Sequence, residues 1–94
     1  MKSIDLTMNA PLITDKSIAE DIYNRIISLD PSNNLVEIDM TGIVSMTTVC
    51  AKIMFGNVAK LISPDVFYKN IRFKGLTDEL ELIITMGITS AIDD

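Results

Sequence analysis

The 94-residue chain contains no histidine and a single cysteine, Cys50. Without an imidazole there is no histidine general acid or base, and no Ser–His or Cys–His nucleophile pair. One thiol with no imidazole also cannot build a zinc site that needs several nitrogen or sulfur ligands. A disulfide within one chain is excluded, which suits a reducing cytosol and leads us to expect a cytoplasmic protein. The four glycines, Gly42, Gly56, Gly75 and Gly87, are scattered. They supply no glycine-rich run ending in Gly-Lys-Ser or Gly-Lys-Thr, the loop that cradles phosphates. No apolar run reaches the roughly 18 residues of a membrane span. At the start, Met1-Lys2-Ser3-Ile4-Asp5 is interrupted by charge at once, so no signal peptide is expected.

Positive charge is also scarce. Eight Lys and Arg stand against thirteen Asp and Glu, a formal net charge of −5. Such a chain repels phosphate backbones and anionic head groups, so neither nucleic acid nor a membrane is an expected partner. Hydrophobic residues make up 48% and charged residues 22%, a globular composition rather than a disordered one. The length allows one domain, 1–94, with one core. A domain this small and this apolar can also bury surface against a partner or a second copy of itself.

Alternation of Ile4, Leu6 and Met8 with Asp5 and Thr7 predicts a strand with one wet face. Thr14 is a helix N-cap candidate, with Asp15 in the first turn. Ile18, Ala19, Ile22, Ile26 and Ile27 then recur at helical spacing up to the turn-rich Asp30-Pro31-Ser32-Asn33-Asn34. Residues 35–40 read as a second strand, with Val36, Ile38 and Met40 on one face. Thr41-Gly42 breaks it, and 43–46 form a short apolar approach to a helix running from Thr47 or Thr48 to about Ile62. In that helix Cys50, Ile53, Met54, Val58, Leu61 and Ile62 form the expected buried stripe. A single helical turn is expected at 66–69 and a third strand at 71–74. Thr77 then caps a last helix, for which Gly87 offers a left-handed end, and Asp93 and Asp94 form a solvated tail.

The order is β-α-β-α-β-α. Helix-length crossovers favour parallel pairing, while the two-faced first strand belongs at an edge, where antiparallel pairing stays open. The expected fold is α/β: a small mixed sheet with helices chiefly on one face.

Catalytic constellations are sparse. Glu37 and Asp39 share a strand face and could hold a hard cation through oxygen, but alternation alone puts polar groups on a wet face. Asp78, Glu79 and Glu81 around a helix start are explained by the helix dipole. Cys50 falls on a buried stripe, where it reads as structural, although a thiol near a helix start can have a lowered pKa. No catalytic residue, metal site or cofactor is expected, and the sequence names no group that would line a small-molecule pocket.

The segment from Asp39 to Val49 carries more. A strand delivers the chain through a loop to a helix whose first residues carry two hydroxyls, Thr47 and Thr48. A helix start stabilises negative charge, and phosphorylation would bring about −1.5 to −2 charges to it. The alternative is that one threonine is simply the cap.

Asp39-Met40-Thr41-Gly42-Ile43 resembles the Asp-(Leu/Phe)-Ser-Gly-Val strand end of the STAS family, the bacterial anti-sigma-factor antagonists and their relatives. Thr47-Thr48-Val49-Cys50-Ala51 occupies the place of that family's Asp-Ser-(Ser/Thr)-Gly-Leu motif. Thr47 stands for the Asp, Val49 for the second hydroxyl and Cys50 for the Gly, while Thr48 falls where the phosphorylated Ser would be. The likeness is closest to short STAS-like proteins of unknown function and covers about residues 12–86. It includes the Phe67–Phe73 segment and the Leu76-Thr77-Asp78-Glu79 helix start.

The resemblance implies a non-enzymatic regulatory module. Its contact surface would be Ser45, Met46, Thr47, Thr48 and Val49, with Lys52 and Phe55 on the following turns. Its partner would be another protein, a kinase-like ATPase or an anti-sigma factor, and phosphorylation of Thr48 or Thr47 would break the contact. The alternative is a structural domain that forms a homodimer through its first strand, with no phosphate chemistry.

Overall fold

A computed structural model describes residues 1–93. Strands β1 (Lys2–Asp5), β3 (Val36–Asp39) and β5 (Ile71–Lys74) pair in the order β1-β3-β5. Both pairings are parallel: Ile4 lies opposite Ile38 and Ile38 opposite Phe73. The sheet is therefore parallel and not mixed. Strand β1 does occupy an edge, but it runs with its neighbour rather than against it. The crossovers carry helices, and right-handed crossovers advancing one way across a sheet place those helices on one face.

Four helices are present among the described residues: α1 (Lys16–Ser28), α2 (48–62), α3 (Pro64–Asn70) and α4 (Asp78–Ile92). On the sheet's inner face, Ile4, Val36, Ile38 and Ile71 are buried. The other face carries Ser3-Glu37-Arg72 and Asp5-Asp39-Lys74 as two polar rows across the strands.

The alternation of Ile4, Leu6 and Met8 does not continue as strand. Asp5 Oδ1 accepts hydrogen bonds from the Thr7 backbone N–H at 2.8 Å and from its hydroxyl at 2.6 Å. That turns the chain into one 3-10 turn at Thr7–Asn9, and Met8 ends up 95% exposed. The cap of α1 is Asp15 and not Thr14, because the Asp15 carboxylate reaches the Ser17 N–H at 2.8 Å. Ala19, Ile22 and Ile26 are buried as expected, whereas Ile18 is 40% exposed.

Residues 43–46 are more than an approach. Ser45–Met46 forms β4, which pairs in parallel with β2 (Leu12–Ile13) in a second, two-stranded sheet. Pro11 O accepts from the Val44 N–H at 2.7 Å, and Ile13 O from the Thr47 N–H at 3.2 Å.

Helix α2 is the axis of the core. It is α-helical at Thr48–Ala51, π-helical at Lys52–Gly56 and α-helical again at Asn57–Ile62. Cys50, Ala51, Met54, Phe55, Gly56, Val58 and Ala59 are all buried, which is more than one face of a helix. Leu61, expected in the stripe, is exposed at the last turn. The Phe55 ring meets Phe73 edge-on at 5.3 Å, and Phe73 lies 6.4 Å from Phe67 of α3, which ties α2 to β5 and α3.

The π-helical stretch has a packing reason. A Cβ placed on Gly87 would lie 2.7 Å from the Ala51 carbonyl carbon, and one on Gly56 would lie 2.5 Å from the Gly87 oxygen. Ala51 and Gly56, five residues apart, thus both face Gly87 of α4. In an α-helix five residues turn about 140° beyond a full revolution, so the two could not face one neighbour. An i→i+5 turn stacks them, and Asn57 donates its N–H to Lys52 O in that register.

Gly87 is accordingly not a helix end. It lies in the middle of α4, which continues to Ile92 with Leu80, Ile84, Ile88 and Ala91 buried. Thr77 caps this helix as expected, its Oγ1 accepting from the Leu80 N–H at 3.1 Å. The expected turn at 66–69 is the seven-residue helix α3, which follows Ser63 at φ 86° and starts with Pro64. Asp93 ends α4 and is exposed, while Asp94 lies outside the described residues.

Candidate functional site

The strand-to-helix junction is built from the sheet outward. At the end of β3, Asp39 Oδ1 accepts the Thr41 N–H at 2.9 Å. Hydrogen bonding from Thr41, with the Lys74 charge adding to it, holds the Asp39 carboxyl below its ordinary pKa. Gly42 then takes φ 86°, a left-handed conformation that costs glycine little. The neighbouring strand end is fitted closely, since a Cβ on Gly75 (φ 71°) would fall 2.5 Å from Thr41 Oγ1. Ile43 is buried and anchors the loop, Val44 is exposed, and Ser45–Met46 pairs with Leu12–Ile13. Through that pairing the loop leaves the sheet and enters α2 in a fixed direction.

Thr47 is the cap of α2: its Oγ1 accepts the Cys50 N–H at 3.1 Å. Its backbone oxygen accepts the Ala51 N–H at 3.0 Å. Thr48 is the first helical residue and is exposed, and its hydroxyl makes no hydrogen bond among the described residues. The two threonines therefore have different tasks: one closes the helix end, and the other presents a free hydroxyl. The first turn of α2 holds no acidic side chain, and its leading N–H groups lack intrahelical acceptors.

The seven sequence-derived contact residues do not form one surface. Thr47, Thr48 and Val49 are exposed, and Ser45 and Lys52 are half-buried. Met46 is buried because the β2–β4 pairing turns it, with Ile13, into the core. Phe55 is fully buried, packed on Phe73, so it cannot touch a partner without unfolding. The exposed neighbours that sequence reasoning left out are Leu12 and Val44, placed beside the helix start by the short β2–β4 sheet. The signal for them was the short apolar segment 11–13, too brief to read as a strand.

Glu37 and Asp39 do share the open face of the sheet. No group of three or more Cys, Asp or Glu side chains among the described residues is arranged to hold a metal ion. Cys50 is buried in the core. Among the described residues no pocket is present, and no helix is long and apolar enough to cross a membrane. Comparison with protein-family models, with curated protein sequences and with solved structures finds no match.

Proposed function

We propose that this chain is a non-enzymatic regulatory module that binds another protein through the exposed start of α2, with phosphorylation of Thr48 as its switch. The observation that carries the reading is the division of labour between the two threonines. Thr47 is committed to the cap at 3.1 Å from the Cys50 N–H, while Thr48 is exposed with an unengaged hydroxyl. A phosphate there would meet the positive end of the helix dipole, with no carboxylate in the first turn to repel it. It would also place charge amid Leu12, Val44 and Val49, all exposed, and so disrupt an apolar contact. The resemblance of 39–51 to anti-sigma-factor antagonists points to a kinase-like ATPase or an anti-sigma factor as the partner.

The test is capture of partners on the purified chain from lysate of its own source, with and without ATP. The expected result is a kinase-like ATPase or sigma-type regulator, released with ATP, and a phosphate on Thr48. Thr48→Asp should weaken that binding and leave the fold intact; equal affinities for the two proteins would end the switch proposal.

A second reading, a homodimer formed through the first strand, has one observation in its favour: β1 is an edge strand. Sedimentation over a concentration series, with and without proline at Ser3, separates the two readings.

A further inference from the structure

The charge of this chain is not spread along it. The first 74 residues hold eight basic and eight acidic side chains and are neutral, so the whole formal net charge of −5 falls in residues 75–94. That segment contains Asp78, Glu79, Glu81, Asp93 and Asp94, with no Lys or Arg. Three quarters of it is α4, and between the acidic ends lie eleven uncharged residues, 82–92. A surface helix normally presents charged side chains along its wet face. Helix α4 instead exposes Leu82 (61%) and Met86 (48%), four residues apart on one face, with Thr85, Thr89 and Ser90 also exposed.

The back of the helix is already committed. Leu80, Ile84, Ile88 and Ala91 are buried, and Gly87 is in close contact with Ala51. The outer stripe is therefore held in place from behind, with nothing among the described residues over it. Carboxylates frame an apolar centre, and that pattern selects its occupant by charge. A second copy packed helix to antiparallel helix would bring Asp78, Glu79 and Glu81 towards Asp93, with no cation on either helix to answer them. An anionic bilayer surface would be repelled by the same side chains.

We propose that the outer face of α4, centred on Leu82 and Met86 and framed by Asp78, Glu79 and Glu81, docks a cationic amphipathic helix of another protein. Apolar residues of that helix cover the stripe, and its Lys and Arg meet the acidic first turn. This face lies on a different helix from Thr48, although the start of α2 packs against α4, and the proposal stands whether or not Thr48 is a switch.

The test titrates the full chain with a fluorescent leucine–lysine amphipathic helix, and with a sibling peptide in which every lysine is glutamate. The lysine peptide should bind saturably, shift backbone amide resonances across 78–93, and leave those of 44–49 in place. Binding should weaken at least about tenfold in Leu82→Ser/Met86→Ser. A similar loss is expected in Asp78→Asn/Glu79→Gln/Glu81→Gln, which leaves the Thr77 cap and the apolar stripe untouched. Circular dichroism establishes that both variants fold. Equal binding of the two peptides, wild-type affinity in either variant, shifts confined to 44–49, or no saturable binding would each overturn the proposal. So would a wild-type dimer that Leu82→Ser/Met86→Ser dissociates, since the face would then belong to a second copy.

Discussion

Gly56 of α2 and Gly87 of α4 meet at the crossing of the two helices, so closely that a Cβ on Gly56 would fall 2.5 Å from the Gly87 carbonyl oxygen. Neither position has room for a methyl group, and the obstructing atoms are backbone and alanine Cβ atoms, which cannot swing aside as a side-chain tip would. Gly56→Ala and Gly87→Ala are each expected to lower the unfolding free energy by about 1–3 kcal/mol. Urea denaturation measures this. Unchanged or raised stability in both would mean that the helices can part without cost.

The two threonines at the start of α2 should respond differently to truncation. Thr47→Ala removes the acceptor of the Cys50 N–H and should cost about 1 kcal/mol. Thr48→Ala removes an exposed hydroxyl with no partner among the described residues and should stay within about 0.5 kcal/mol of wild type. Thermal melts of the pair settle it. Equal losses would show that the cap is shared.

Phe55→Ala should be a stability variant and not a binding variant. The ring is fully buried against Phe73, and such truncations cost about 3–5 kcal/mol. A well-folded Phe55→Ala protein whose unfolding free energy falls by less than a third of that would contradict the packing described above.

Three carboxylates make stability depend on acid. Asp5, Asp15 and Asp39 are each held below the ordinary value of 3.8 by hydrogen bonds, from Thr7, Ser17 and Thr41 respectively. Their pKa values are lower in the folded chain, so the unfolded chain takes up protons first as pH falls. The stability they contribute is complete above 3.8 and is lost as pH drops through the lowered folded values. Asp39→Asn should therefore flatten the fall in urea midpoint below about pH 4, relative to wild type. An identical slope would show that the Thr41 hydrogen bonding does not favour the ionised form.

Much of this architecture is legible in the chain because local signals and tertiary context agree. Val36, Ile38 and Met40 alternate as a strand and are buried as one, and Thr77 looks like a cap and serves as one. Reading fails where a short-range competitor wins. The alternation at Ile4, Leu6 and Met8 is real, yet the Asp5 carboxylate captures Thr7 and turns the chain after four strand residues. The two-residue strands β2 and β4 have no periodicity to detect, although they decide that Met46 points inward. Phe55, which the STAS resemblance puts on the contact surface, is inside because α2 is buried over more of its circumference than one face. The π-helical turn depends on Gly87, a residue more than thirty positions away, and no window around Lys52–Gly56 contains it.

The strand order has a consequence for how the protein comes apart. Strands β1 and β5 never touch; each is paired only to β3, a segment of four residues. Opening either edge costs one ladder and leaves the other standing, whereas losing β3 removes both ladders of this sheet. The amides that β3 donates are thus expected to be the last in the sheet to exchange with solvent, and the edge amides of Ser3 and Asp5 the first. The molecule has one irreplaceable strand, and the three-stranded sheet persists only as long as it does.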